Sequence, residues 1–340
     1  MHIEITNKWN HLLGKFLDGQ KDIYYTEEYV NLYSSPVDEA FCIVCKEHQN
    51  ILLMPFLRRK INGYFDFETP YGYGGPISNT YDQGWINYAL EEMASYFKEH
   101  GYLCGFIRFH PLIGNAVYCK YKINVSFDRH TVFIDTGQEE EDIWKSQIIS
   151  KNRNMIRKAE KNGLVFKADD TFASLPEFIA LYNQTMQRLN ADNFYFFSES
   201  YYKNFLSQLG QSSFLGTVYF KRKLICAALF MFYGIYGHYH LEGSDPLYAA
   251  FGANNFLLWH SALELKRRGV KQFHLGGGSD AAEDNSLLKF KKAFSGCKSD
   301  FYIGRSIFHT SAYETICKEW EIHNAEKRDL YGGLLLKYRY

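Results

Sequence analysis

The feature that most constrains this chain is an internal repetition. FCIVC-KEHQN-ILLMPFL, from Phe41, reads as strand, polar turn, strand. FLGTVYF-KRK-LICAALFMFY, from Phe214, reads the same way. β-branched and aromatic runs around a charged turn are a hairpin signature. Val44 and Phe56 in the first stretch answer to Val218 and Phe230 in the second, an offset of 174 residues (218 − 44). A third strand keeps that offset, YFDFETP from Tyr64 and HYHLEGSDP from His238, and each runs into a proline turn at Pro70 or Pro246. A glycine-bearing loop follows, YGYGGPISNT or LYAAFGANN, and then a helix-period segment, WINYALEEMASYFKEHG or NFLLWHSALELKRRG. Gly101 and Gly269 stand where a helix stops on a left-handed glycine, and the strands GFIRFHPL and KQFHLGGG come next. Order and spacing held over some sixty residues point to an α/β (α+β) chain of two tandem domains. Two unrelated units of common α/β grammar are the alternative.

Between the copies lies GQEEEDIWKSQIISKNRNMIRKAEKNG, a helix pair with acidic start and basic end, as the helix dipole favours. It places the boundary near Thr136: a first domain over 1–136 and a second over 137–310. Leu175 to Leu209 reads as two helices around the aromatic turn NADNFYFFS. The tail over 311–340 reads as helical up to Tyr331 and is expected to return to the first domain.

Composition narrows the function classes. The 340 residues are 46% hydrophobic and 22% charged, ample for two globular cores. Aromatics make up 18%, which favours sheets and aromatic clefts, or simply large core side chains. Net charge is zero, which argues against a dedicated DNA binder. The balance is uneven: residues 1–137 hold 12 Lys+Arg against 16 Asp+Glu (−4), and the remainder 26 against 22 (+4). The second half therefore suits a phosphate-bearing partner, tRNA among them. Cys42 and Cys45 form a C-x-x-C on a strand, where i and i+3 face opposite ways. They read, with the other five cysteines, as buried thiols of a reducing cytoplasm. The start MHIEITNKWN lacks a basic then apolar leader pattern. The longest apolar run, near Ile225 to Tyr236, is too short to span a bilayer. The expectation is a cytoplasmic protein with at most peripheral membrane contact; its oligomeric state stays open.

Strand, glycine loop, helix, strand is similar to the core of GNAT acyltransferases. In that fold the loop N–H groups and the helix start cradle the pyrophosphate of acyl-CoA. The nearest match to the usual R/Q-x-x-G-x-G/A loop is Ala249 to Asn254, with Gly252 but without the basic or amide residue and the final small residue. SKNRNMIRKAEKNGLVF resembles the segment that opens the second domain of FemABX-type transferases. GGGSDAAEDNSLLKFKKAFSG resembles their closing motif, here Phe290, Lys291, Phe294 and Gly296, and PYGYGGPI resembles their first-domain loop, as well as that of the related exopolysaccharide-cluster acetyltransferases. The resemblance covers nearly the whole chain. It implies tandem GNAT-like domains and transfer of an amino acid from aminoacyl-tRNA to an amine of a peptidoglycan precursor. It implies no metal and no tightly bound cofactor, with aminoacyl-tRNA or acyl-CoA as co-substrate.

Attack of an amine on an ester or thioester needs an oriented acyl donor and stabilisation of an oxyanion, and no protein nucleophile. The sequence carries no G-x-S-x-G, H-E-x-x-H or phosphate-loop motif. By the resemblance Lys291 is the electrostatic stabiliser and Phe290 the stacking partner. From spacing alone, Lys289, Lys291 and Lys292 also fit a solvated basic patch and Phe290 a core position. His240 and Glu242 alternate with Tyr239 and Leu241 on the third strand of the second copy. A base toward the ammonium acceptor is expected at His240 or Glu242, with a satisfied polar pair as the alternative, and Gly243 is a candidate oxyanion N–H. The donor side takes in Gly252, Asn254, Tyr239 and the helix neighbours Arg153 and Arg157, which also fit a solvated face. Tyr71, Gly72, Gly74 and Gly75 form a compact loop read as the acceptor wall or as a structural turn. The family's first-domain phosphate lysine has no match, and Arg188 is the candidate substitute. An acceptor that is a small-molecule or lipid-linked cell-wall precursor follows from the family. The rivals are an acyl-CoA-dependent N-acyltransferase on an amino sugar or polysaccharide precursor, and a non-catalytic precursor-binding protein.

Overall fold

The computed structural model describes all 340 residues. The chain begins β1 (His2–Thr6), α1 (Asn10–Leu13), α2 (Glu27–Leu32), β2 (Glu39–Glu47), β3 (Asn50–Ile61), β4 (Tyr64–Glu68), β5 (Ile77–Ser78), α3 (Gln83–Glu99), β6 (Tyr102–Arg108), α4 (Ala116–Cys119) and β7 (Asn124–Asp135). It continues α5 (Glu140–Asp142), α6 (Ser150–Lys161), β8 (Val165–Asp169), α7 (Leu175–Arg188), α8 (Glu199–Leu209), β9 (Ser213–Phe220), β10 (Lys223–Tyr233) and β11 (Tyr236–Ser244). It ends α9 (Ala253–Arg267), β12 (Gln272–Gly277), α10 (Ser286–Lys292), β13 (Lys298–Ile307), α11 (Thr310–His323) and α12 (Arg328–Tyr331). These elements form two compact units, Met1–Asp128 with Asp300–Tyr340, and Arg129–Ser299.

In the first unit the strand order is β1-β2-β3-β4-β6-β13. β2 and β3 close a two-residue turn, with Glu47 paired to Asn50. β4 runs antiparallel to β3 and parallel to β6. α3 starts where the Asp82 side chain accepts from the Gly84 and Trp85 N–H groups, satisfying donors that a helix start leaves unpaired. Its apolar face, Ile86, Leu90, Met93 and Phe97, packs with Phe56, Phe67 and Tyr102. Gly101, at φ +74°, then turns the chain into β6.

In the second unit the order is β7-β12-β11-β10-β9-β8. β9 and β10 form the hairpin, β11 runs antiparallel to β10, and β12 runs parallel to β11 after α9. Phe256, Leu257 and Leu265 of α9 pack with Ile156 of α6 and with Phe214, Phe230 and Phe273 of the strands. Both units thus run hairpin, third strand, loop, helix, strand in the same order. Much of the aromatic surplus is buried: Phe56, Phe67, Phe97 and Phe214 in these cores, and Phe178 and Phe205 on α7 and α8.

The units change over at Asp128/Arg129 and Ser299/Asp300, earlier than the composition shift near Thr136 and the expected end near 310. The reason is pairing. Thr131 to Asp135 of β7 pair with β12, whereas Ile303 to Ile307 of β13 pair with β6. A continuous strand hides such a change of allegiance from any reading of composition.

The C-terminal segment docks into the first unit through one buried arginine. Arg339 is 6% exposed and Asp66 fully buried. Its Nε and Nη2 donate to the two Asp66 oxygens at 3.2 and 2.6 Å, and Nη1 donates to Glu68. The neighbouring Tyr338 hydroxyl meets the Cys104 thiol at 3.0 Å. Removing one partner of a buried pair strands the other's charge, at a cost of about 3 kcal/mol. Arg339→Ala is therefore expected to lower the free energy of unfolding of the first unit in urea by that amount. A loss below ~1 kcal/mol, the range of surface pairs, would show the tail to be loosely held.

Candidate active site

The site is built by a ladder that stops. β11 and β12 pair in parallel only from Tyr236–Gln272 to His238–His274. Beyond that β11 runs on to Ser244 and β12 to Gly277 without pairing to each other. Two parallel strands that part toward their carboxyl ends open a wedge, the place where α/β sheets take ligands.

The β12 wall carries Lys291. This residue is 7% exposed, and its Nζ donates to the Gly277 carbonyl at 2.7 Å. Gly276, at φ +78°, leaves room for it: a Cβ there would stand 3.2 Å from Nζ. Arg129 of β7, which the sequence reading missed, donates to the next carbonyl, Gly278, at 3.1 Å. Burial, and secondarily the Arg129 charge, pull the Lys291 pKa down to about 7. Lys291 is thus set apart from Lys289, which is exposed, and Lys292, which is half-buried, so it is not part of a solvated patch. Phe290 is half-buried, packs against the second-unit core and meets Phe294 edge-on at 5.3 Å.

The β11 wall departs from the expected alternation. The β10–β11 register shifts between Leu229–Leu241 and Phe230–Tyr239, so that His240 is bulged out. A bulge inserts one residue and reverses which side chains share a face. Glu242 therefore lies with Tyr239, not with His240. Its carboxyl accepts from Asn254 Nδ2 at 3.2 Å and meets the Cys226 thiol at 3.6 Å. Burial raises its pKa, opposed by Ser244, Cys226, Arg188 and Asn254, and burial raises the Tyr239 phenol well above its usual value. His240 instead meets the Tyr201 hydroxyl through Nε2 at 2.9 Å and stacks on Phe205. Burial, helped by His238, holds its pKa at about 3. An imidazole that weak is a poor base near neutral pH, which corrects the expectation for His240 and leaves Glu242. Gly243 is also corrected: it pairs with Ala227, and a Cβ there would fall 2.5 Å from the Tyr182 nitrogen. It is glycine so that α7 can lie on the strand.

Other candidates fall out the same way. Gly252 caps α9 at φ +80°, and a Cβ would stand 2.6 Å from the Met155 carbonyl of α6. At the helix start where a pyrophosphate would lie, the Met155 carbonyl thus closes on Gly252, and Asn254 donates to Glu242. Arg153 is spent internally: its Nη1 donates to the carbonyls of Trp144, Lys145 and Ile148 and its Nη2 to the Ser150 hydroxyl, closing a π-helical turn over Ile143–Gln147. Arg157 is exposed, with its guanidinium 5.4 Å over the Trp144 ring. Arg188, expected on the acceptor side, belongs to the second unit, where it donates to the Ser244 carbonyl at 3.1 Å.

In the first unit the Tyr71–Gly75 loop is moulded by aromatic rings. Gly72, at φ +92°, would bring a Cβ within 2.5 Å of the Tyr24 ring, and Gly75, at φ +82°, within 2.8 Å of Phe109. The Gly74 carbonyl accepts from the Tyr25 hydroxyl and from Asn115 Nδ2, both at 2.7 Å, and the Tyr71 carbonyl from Tyr29 at 2.7 Å. Asn115 Oδ1 accepts from the His110 N–H at 2.8 Å. The His110 Nδ1 accepts from the Ile113 N–H at 3.1 Å, so its proton is on Nε2, 2.7 Å from the buried Asp22 carboxylate. None of this framework was legible in the sequence, because its members are scattered over ninety residues.

The acetyltransferase (GNAT) domain family matches residues 148–292. Among solved structures, FemX aligns over 93% of this chain and 100% of its own, with TM-score 0.73 and 15% identity. The C-terminal domain of a protein described as a lysylphosphatidylglycerol synthetase from Agrobacterium fabrum aligns over 88% and 92%, with TM-score 0.56 and 14% identity. A conserved protein of unknown function from Bacteroides thetaiotaomicron aligns over 78% and 85%, with TM-score 0.50 and 11% identity. Comparison with curated protein sequences gives no match. Residues 148–292 thus carry a GNAT acetyltransferase domain. The fold of the whole chain is that of FemX, shared over the full length of that structure.

The lowered Lys291 pKa has a signed consequence. Between pH 7 and the unfolded lysine value of about 10.4, the unfolded chain binds more protons at this position. Its contribution to stability therefore rises with pH across that window, with a slope approaching ~1.4 kcal/mol per pH unit. Urea unfolding should show the wild type gaining on Lys291→Met between pH 7 and pH 10. A difference independent of pH would mean that the amine is solvated.

Proposed function

We propose that the chain transfers an amino acid from aminoacyl-tRNA to an amine of a peptidoglycan precursor. The second unit binds the donor and the first holds the acceptor along the Tyr71–Gly75 loop. One observation carries the choice of donor: at the α9 start Gly252 lies against the Met155 carbonyl and the Glu242 carboxyl is held by Asn254. A buried carboxyl there repels a diphosphate. The fold shared with a lysylphosphatidylglycerol synthetase domain, an enzyme named for joining lysine to a phospholipid, fits an aminoacyl donor.

In this reading the acyl carbonyl enters the wedge between β11 and β12. The acceptor amine attacks it, the carbonyl oxygen gains negative charge, and the protonated Lys291 stabilises that charge. Glu242, its pKa raised by burial, takes the proton that the ammonium acceptor must lose. The C–N bond forms as the ester C–O bond breaks, and the tRNA hydroxyl leaves with a proton. No protein nucleophile is needed. Arg157 offers an exposed cation for a tRNA phosphate.

A second reading, an acyl-CoA-dependent N-acyltransferase on an amino sugar or polysaccharide precursor, is favoured by the acetyltransferase description of the family matched by residues 148–292. Calorimetry separates the two. Acetyl-CoA is expected to give no heat of binding, and a micromolar constant would establish the second reading. Filter binding of tRNA is expected to weaken steeply with salt; no affinity at low salt would remove aminoacyl-tRNA as donor. Lys291→Met is expected to lower kcat about 100-fold or more, as loss of an oxyanion stabiliser does, and unchanged turnover would remove Lys291 from the chemistry.

A further inference from the structure

We propose that the end of the second unit formed by the β9–β10 turn and the segment after β11 is a docking surface for anionic lipid. β9 and β10 pair through Phe220 and Lys223, leaving Lys221 and Arg222 as a two-residue turn. Both have positive φ, +48° and +68°. Such turns ordinarily carry Asn-Gly, because side chains with a β-carbon strain there. Strain held at a surface turn points to a function of the side chains themselves. Both side chains are exposed, and neither has a carboxylate within salt-bridge distance. Lys223 completes the run, bonded to Asp245 at 2.8 Å and lying 5.0 Å over the Tyr248 ring.

Beside these cations stand aliphatic side chains that the fold does not use. Leu247 is 81% exposed, although its N–H is fixed by Asp245 at 3.0 Å. Leu189, at the end of α7, is 64% exposed. Arg188, the residue before it, donates to Ser244, so the α7 end adjoins the segment that presents Leu247. Exposed leucines amid basic residues match a bilayer surface, where aliphatic chains enter the interface and cations meet anionic headgroups. RNA fits less well, because the side chains standing out beside the cations are leucines, which have no π-face on which a base can stack, while Phe220 and Tyr248 are half-buried beneath Lys221 and Lys223. A second copy fits less well too, since a two-fold contact would set the basic turn of one chain against like charge. The surface stands independently of the donor and acceptor proposed above.

The test is co-sedimentation of the full chain with vesicles of phosphatidylcholine, with and without phosphatidylglycerol. Binding is expected only with phosphatidylglycerol, falling with salt. The double variant Lys221→Asn/Arg222→Gly removes both cations and relieves the turn, so it should melt at or above the wild-type temperature. Its vesicle partition should fall about 25-fold, at about fivefold per basic residue. Leu247→Ser should weaken partition while keeping its salt dependence. The proposal is overturned by no phosphatidylglycerol-dependent binding, by equal partition of wild type and both variants, or by loss of tRNA binding in the double variant without vesicle binding by the wild type. A monomer–dimer shift in Leu247→Ser without vesicle binding would assign the patch to self-association and also overturn it.

Discussion

The second unit depends on a parallel ladder that ends at His238 and His274. If pairing continued, Ser244 and Gly277 would lie in one closed sheet and nothing could enter. Its early end leaves two walls with different chemistry. One is a glycine-rich strand end whose carbonyls are gathered by two cations, Lys291 and Arg129. The other carries a carboxyl, Glu242, held among Asn254, Cys226 and Tyr239. Desolvation moves the two groups in opposite directions, the amine down to about 7 and the carboxyl up. Both move toward neutrality, where proton exchange with an acceptor is efficient.

Two glycines near the wedge are set by helix packing. Gly252 is glycine because helix α6 lies against it, and Gly243 because α7 does. In an acyl-CoA enzyme a glycine at the helix start frees the backbone for a diphosphate. Here the Met155 carbonyl lies where a Cβ on Gly252 would point, and the Glu242 carboxyl is held by Asn254 of the same helix. Glycine in a loop thus reports close approach without saying what approaches.

Periodicity and punctuation made much of the fold legible. The hairpin around Lys221 and Arg222, the helices stopped by Gly101 and Gly269, and the aromatic turn between α7 and α8 follow from local pattern. The handover inside β7 does not, because a continuous strand has no composition break where its partner changes. The bulge at His240 was equally hidden: HYHLE reads as plain alternation, and only the partner strand decides that one residue drops out. That single bulge separates His240 from Glu242 and leaves Glu242 as the candidate base. Lys291 was visible as part of a family motif, but its burial was not, since Lys289 and Lys292 look the same in sequence. Arg129 carried no signal at all, because its role arises from a contact with Gly278, 149 positions away.

The central claim is that the wedge accepts an aminoacyl group and not one carried by coenzyme A. The direct measurement offers the chain charged tRNA and acetyl-CoA together, with a peptidoglycan-precursor amine as acceptor, and reads the product by mass spectrometry. The account predicts an aminoacyl increment on the acceptor, absent when the tRNA is deacylated beforehand. An acetyl increment that is indifferent to tRNA would contradict it.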